Sequence, residues 1–172
     1  YGQMLQEIAK WYSINLSNQV IHWLYNDHGA IKDMAVSFDD ANFAHLAGLY
    51  FARKSASETF YDLVEGNFNQ YDILVKNDKT TFIKLAAIKY LPTIIDSQNV
   101  SLNDLSSIDQ ASRLKFSDAI NPLDNDIMLA FRDIPDKLLV PVTLLNLNSN
   151  SPYYDVASNH VLGTFATPIN ID

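Results

Sequence analysis

A chain of 172 residues that is 48% hydrophobic and 19% charged holds enough apolar material for the core of one globular domain. It has no cysteine, which excludes disulfide scaffolds, zinc–thiolate sites and thiol nucleophiles together. Twelve Lys and Arg against twenty Asp and Glu give a net charge of −8. That charge repels a phosphate backbone at long range and argues against a general nucleic-acid binder, while leaving room for a small local basic site or for a basic protein partner.

Residues 1–8 lack the basic and apolar regions of a signal peptide, and no run of eighteen apolar residues follows, which predicts a soluble protein without membrane contact; the absence of cysteine is compatible with a cytoplasmic location, and equally with a phage-encoded or delivered protein. Met4, Leu5, Ile8, Trp11 and Tyr12 fall at helical spacing and predict a first helix over residues 3–12. Residues 20–25 are rich in β-formers, Asn26-Asp27-His28-Gly29 reads as a turn, and residues 32–38 alternate, so a β-hairpin follows. In it His22 reads as a satisfied strand histidine and His28 as a solvated turn residue.

Asp39 and Asp40 suit the N-terminus of a helix starting near residue 40, where their carboxylates accept hydrogen bonds and complement the dipole. Phe43, Leu46, Ala47 and Tyr50 form its apolar stripe. His45 and Gly48 lie on the neighbouring face, and a glycine within a helix implies a close approach to the backbone there. Packing alone explains such a histidine well; a substrate beside the gap explains it too.

A second capped helix is predicted over residues 55–65, with Ser55 and Glu58 as a capping box and Gly66-Asn67 as its stop. A short strand follows at 71–75. Residues 79–91 read as a helix apolar on nearly every side, hence buried, with Lys84 in an apolar context that requires it to snorkel, pair or line a cavity. Residues 96–126, poor in large apolar side chains, read as a flexible insert with a short strand near 114–116. Three strands close the chain at 127–132, 138–147 and 160–167, neighbours pairing antiparallel. The second is apolar on both faces, as in a central strand, against which Pro141 implies an edge or a bulge. The elements describe an α+β fold: an antiparallel sheet, made of the N-terminal hairpin and three C-terminal strands, packed with several helices.

Zinc-protease spacing, phosphate-binding glycine loops, nucleophile elbows and EF-hand loops are all missing. Polar residues in strongly apolar contexts remain: His45, Lys84, Arg132 and Thr143. A histidine, two cations and a hydroxyl are the parts for RNA cleavage without metal or other cofactor, the histidine moving a proton and the cations stabilising charge on the phosphorane. A strand-end Arg in an ion pair and a Thr bonded within a sheet account for the last two equally well.

The order of a β-hairpin, Val-Ser-Phe-Asp-Asp-Ala-Asn-Phe-Ala-His-Leu-Ala-Gly-Leu, Phe-Ile-Lys-Leu-Ala-Ala-Ile, Leu-Ala-Phe-Arg-Asp and Leu-Val-Pro-Val-Thr-Leu-Leu resembles a phage-associated family of barnase, EndoU, colicin and RelE-like nucleases. The resemblance runs over residues 18–167. Ala47 and Thr143 stand where the family pattern has Thr and Ser. It implies a barnase/RelE-like fold in one domain over residues 1–172, and a toxin or effector endoribonuclease that cuts a structured RNA. His45, Lys84, Arg132 and Thr143 would be its catalytic set and Asn42, Arg53 and Lys54 its substrate contacts. Besides RNA, the partner would be an antitoxin, an immunity protein or another basic protein. The acidic surface also suits the alternative, an inactive protein-binding module of phage or mobile-element origin.

Overall fold

The structure is a computed structural model and describes residues 1–96, 98–148 and 150–169. Helix α1 (Gly2–Asn15) buries Leu5, Ala9 and Tyr12, one side chain per turn. Strands β1 (Gln19–Asp27) and β2 (Ala30–Phe38) form the expected hairpin. Its turn places His28 and Gly29 at φ 50° and 90°, the mirror-image turn that follows the twist of the strands, and the Asn26 side chain accepts the Gly29 N–H. His22 is indeed satisfied: it bonds Asp33 at 2.8 Å and Thr167 at 2.9 Å, and stacks on Phe165 at 4.5 Å. His28 is exposed beside Asp27.

The chain continues through α2 (Asp40–Ala47), β3 (Tyr50–Phe51), α3 (Ala56–Glu65), β4 (Ile73–Leu74), α4 (Thr80–Ile88), α5 (Thr93–Asp96) and β5 (Asn99–Leu102). It ends with α6 (Asp109–Leu114), β6 (Asp118–Pro122), β7 (Ile127–Arg132), β8 (Val140–Asn146) and β9 (Ser158–Pro168). Seven strands make one antiparallel sheet in the order β2-β1-β9-β5-β6-β7-β8, as an α+β fold requires. The sheet curls until its edges meet: the Ser37 N–H donates to the Leu139 carbonyl at 2.9 Å, and the Leu139 N–H to Ala35 at 3.2 Å.

The main core lies between this sheet and α1 to α4. Trp23 packs on Phe131 at 5.4 Å, and Tyr12 meets Phe43 and Phe60 edge-on at 5.3 and 5.5 Å. A smaller cluster of Leu102, Leu105, Ala111, Phe116, Met128 and Tyr153 fills the opposite face under α6. Among the described residues no helix is long and apolar enough to cross a membrane.

Six expectations are corrected. Residues 99–122 are not a loop insert but two inner strands and a helix, and residues 114–116 end that helix instead of forming a strand. Strand β9 does not pair with β8; it returns to lie between β1 and β5. Strand β8 is an edge strand, not a central one, and bulges as Pro141 demands: Ala130 faces Thr143 and Phe131 faces Pro141, so Val142 has no partner in register. Helix α4 is shorter than its apolar run and exposes Phe82 and Ile83. Gly48 does not sit within α2 but ends it at φ 68°, in the left-handed cap that glycine favours.

Candidate active site

The position of α2 is set at its N-terminus. The Asp39 carboxylate accepts the Asn42 N–H at 3.1 Å, and the Asn42 side-chain oxygen accepts the Asp39 N–H at 2.9 Å. Phe43, Ala44, Leu46 and Ala47 are buried against the sheet and neighbouring helices, which turns His45 outward in the last helical turn, exposed. It opens onto a cleft of about 600 Å³, within the usual range for ligand sites. The cleft is lined by Asn42, Ala44, His45, Gly48, Leu49 and Tyr50 from α2 and the segment after it, by Ala56, Lys76 and Lys84, and by Arg132 with the bulged segment Val140-Pro141-Val142.

Lys84 does what its apolar surroundings required. Its ammonium donates to the His45 carbonyl at 3.1 Å, a partner at the negative end of the α2 dipole. Its stem passes over Gly48, so close that a Cβ there would lie 2.8 Å from Lys84 Cδ. Burial holds the Lys84 ammonium below the ordinary lysine range, the charge of Lys76 pushes it the same way, and Asp78 opposes both. Thr81 forms the node beneath: it accepts the Lys76 N–H at 3.1 Å and donates to the Gly48 carbonyl at 3.0 Å, tying the loop before α4 to the end of α2.

Arg132 lines the cleft and is also structural. Its Nε donates to the Lys115 carbonyl at 2.9 Å and its Nη2 to Leu114 at 3.3 Å, closing the end of α6. Asn42 likewise commits its amide oxygen to the helix cap and keeps its amide N–H donors for a ligand.

Thr143 does not line this cleft. Its place in the ladder sets it opposite Ala130, which belongs to the second cluster, and its buried hydroxyl approaches the Leu144 carbonyl at 3.4 Å. Arg53 and Lys54 lie outside it as well. Lys54 pairs with Asp62 and lines a separate depression with Phe51, Tyr71 and Leu74. The structure therefore joins His45, Lys84, Arg132 and Asn42 and leaves Thr143, Arg53 and Lys54 apart. Sequence reasoning missed Lys76, because a lysine in a turn carries no spacing signal, and misplaced Tyr50, whose helical spacing put it in the apolar stripe of α2 although the helix ends at Ala47 and Tyr50 is exposed in β3.

The cleft thus combines one histidine with three cations, Lys76, Lys84 and Arg132, and has no carboxylate among its lining residues. In a chain of net charge −8 this is a local reversal of sign. It suits an anion. Among the described residues no group of three or more His, Asp or Glu side chains converges as a metal site.

Compared with known proteins, residues 4–172 match the family model described as phage-Barnase-EndoU-ColicinE5/D-RelE like nuclease4. Neither a curated protein nor a solved structure matches the chain.

Proposed function

Because the chain belongs to this phage-associated nuclease family, we propose that it is a metal-independent endoribonuclease of toxin or effector type, which cuts a structured RNA in the cleft around His45. The observation that carries this reading is the cleft lining: a histidine and three cations without a carboxylate, on an otherwise acidic chain. The 2′-hydroxyl loses its proton and its oxygen bonds the adjacent phosphorus. The bond to the 5′-oxygen breaks, leaving a 2′,3′-cyclic phosphate and a 5′-hydroxyl. His45 moves one of the two protons as general base or acid, the other exchanging with water. Lys84, Lys76 and Arg132 stabilise the charge on the phosphorane oxygens, and Asn42 donates to the bound strand. Thr143, with its hydroxyl turned away, supports the bulge that shapes the cleft. An enzyme of this kind needs an antitoxin or immunity protein in its host, and the acidic surface outside the cleft suits a partner with a basic face.

Incubation with total cellular RNA in EDTA tests the proposal. Cleavage is expected, with cyclic phosphate ends, and an RNA carrying a 2′-deoxy residue at the scissile position should resist. His45→Ala is expected to lower the rate by about 10²–10⁴-fold, the usual contribution of a positioned acid or base. No cleavage in any buffer, or His45→Ala cutting like the wild type, would overturn the reading in favour of an inactive binding module.

A further inference from the structure

Thr81, in the first turn of α4, is fully buried, and its hydroxyl makes both of its bonds outside the helix. It accepts the Lys76 N–H at 3.1 Å and donates to the Gly48 carbonyl at 3.0 Å. Three residues on, and so on the same face of the helix, stands Lys84. Gly48 meets both: a Cβ built on it would lie 2.8 Å from Lys84 Cδ and 3.4 Å from Thr81 Cα. The turn that carries Lys76 keeps its shape through local bonds. The Lys79 N–H donates to the Lys76 carbonyl at 3.1 Å, and the Thr80 N–H and hydroxyl donate to Asp78 at 3.0 and 2.7 Å. These bonds stay within residues 76–80, so they shape the turn without attaching it to α2; the Thr81 hydroxyl attaches it.

Lys76 and Lys84 both line the cleft with His45. Two ammonium groups repel, so keeping both at one cleft requires backbone that cannot relax to part them. We propose that Thr81 is a positioning residue: by fixing the Lys76 backbone to the end of α2, it holds Lys76 and Lys84 together as a two-cation site for a phosphoryl anion beside His45. The proposal rests on the anion-binding part of the reading above and not on the cleavage step. Burial is the larger cause of the lowered Lys84 pKa, the charge of Lys76 is the next, and Asp78 opposes them. His45 of α2 and Arg132 of β7 line the same cleft, while β8, which also packs on α4, contributes no titratable group.

The test is anion binding without RNA. Inorganic pyrophosphate is titrated by calorimetry into the full chain, Thr81→Val, Thr81→Ser, Lys76→Met and the double variant that joins Thr81→Val to Lys76→Met. Thr81→Val is expected to weaken binding about fivefold to tenfold, the size of coupling found between residues that act together, and Thr81→Ser, which keeps the hydroxyl, to stay within about twofold of the wild type. In the Lys76→Met background Thr81→Val should cost no more than about a further twofold, because the lysine it positions is gone; a general loss of structure would weaken both backgrounds alike. A second readout needs no threonine variant. Followed by the NMR shift of its ε-carbon, Lys84 should titrate at higher pH in Lys76→Met than in the wild type, and this decides the pairing even where Thr81→Val is too unstable to titrate. The positioning role is overturned by Thr81→Val binding like the wild type, by Thr81→Ser failing to restore affinity, by equal losses with and without Lys76, or by Lys84 titrating alike in Lys76→Met and wild type. A wild type that ignores pyrophosphate removes the anion site itself. If the binding pattern holds but RNA is left uncut, the two-cation site stands and the cleavage reading falls.

Discussion

At Lys84 one side chain meets two demands. Its ammonium fastens to the His45 carbonyl, and its stem requires that residue 48 have no side chain. Gly48→Ala would place a Cβ against that stem and force alanine to φ 68°. The left-handed conformation alone costs about 1–2 kcal/mol, so urea denaturation should show a loss of at least that size. Cleavage should fall further than the stability loss explains, because Lys84 must move. The charge of Lys84 gives a second expectation. Its pKa lies below the ordinary lysine value, so if Lys84 stabilises the phosphorane as proposed, raising the pH removes that charge earlier than for a solvated lysine. The alkaline limb of the rate profile should begin below the usual lysine range, and Lys84→Arg, which stays charged, should shift that limb upward. A limb in the same place in both proteins would detach Lys84 from the chemistry. At this scale the sequence was legible for His45 and Lys84, whose polar groups stand out in apolar runs. It was misleading for Thr143, whose pairing sets it opposite Ala130 of the second cluster and outside the cleft lining.

Elements with local signals were readable from the chain. The capping box of α3 forms with the Ser55 and Glu58 that their spacing named and the helix ends at Gly66, while α2 takes Asp39 as its cap and ends at Gly48, which the sequence placed inside it. The inner strands β5 and β6 were not readable, because their polar residues answer one another at long range. Asn103 donates to Asp118 at 2.9 Å, Asn159 donates to Asn103 at 3.2 Å, and Ser101 is fully buried. A local reading sees Ser, Asn and Asp and infers a loop; the sheet satisfies each by a partner brought from β9 or from its own ribbon. The cap of α2 carries its own prediction, since that helix delivers His45. Asp39→Ala should cost about 1 kcal/mol, the usual worth of a side-chain N-cap. Cleavage per folded molecule should fall too, because the carboxylate that accepts the Asn42 N–H, and so fixes the first turn of the helix, is gone. Asp39→Ser restores the acceptor and should recover most of the stability and the rate. If Asp39→Ala lowers stability and leaves the rate of the folded fraction unchanged, the start of the helix does not govern the cleft.

For the molecule as a whole, the curled sheet leaves α1 to be fastened against the helices that carry the site, and Tyr12 does this. Its ring lies among Phe38, Phe43 and Phe60, and its hydroxyl donates to the Asp39 carbonyl at 2.7 Å, joining the first helix to the cap of α2. Burial, reinforced by the carboxylates of Asp39 and Asp40, pushes the phenol far above its ordinary value. The folded state therefore holds its proton where the unfolded chain releases it. Below the unfolded value of about 10 both states are protonated and the stability from this group is complete; above it, stability falls by about 1.4 kcal/mol for each pH unit. Tyr12→Phe is free of that loss but leaves the Asp39 carbonyl without its donor, which costs about 1 kcal/mol at neutral pH. The two unfolding curves should then converge as the pH passes 10 and cross roughly one unit higher, where the ionisation penalty equals the value of the lost hydrogen bond. Tyr153, pushed up to about 12 by burial, and Lys84 titrate in both proteins and cancel in the comparison. Urea midpoints at pH 7, 9, 10 and 11 measure the crossing directly. Curves that stay parallel to pH 11 would mean that the hydroxyl reaches water in the folded state and that α1 is held to α2 by its rings alone.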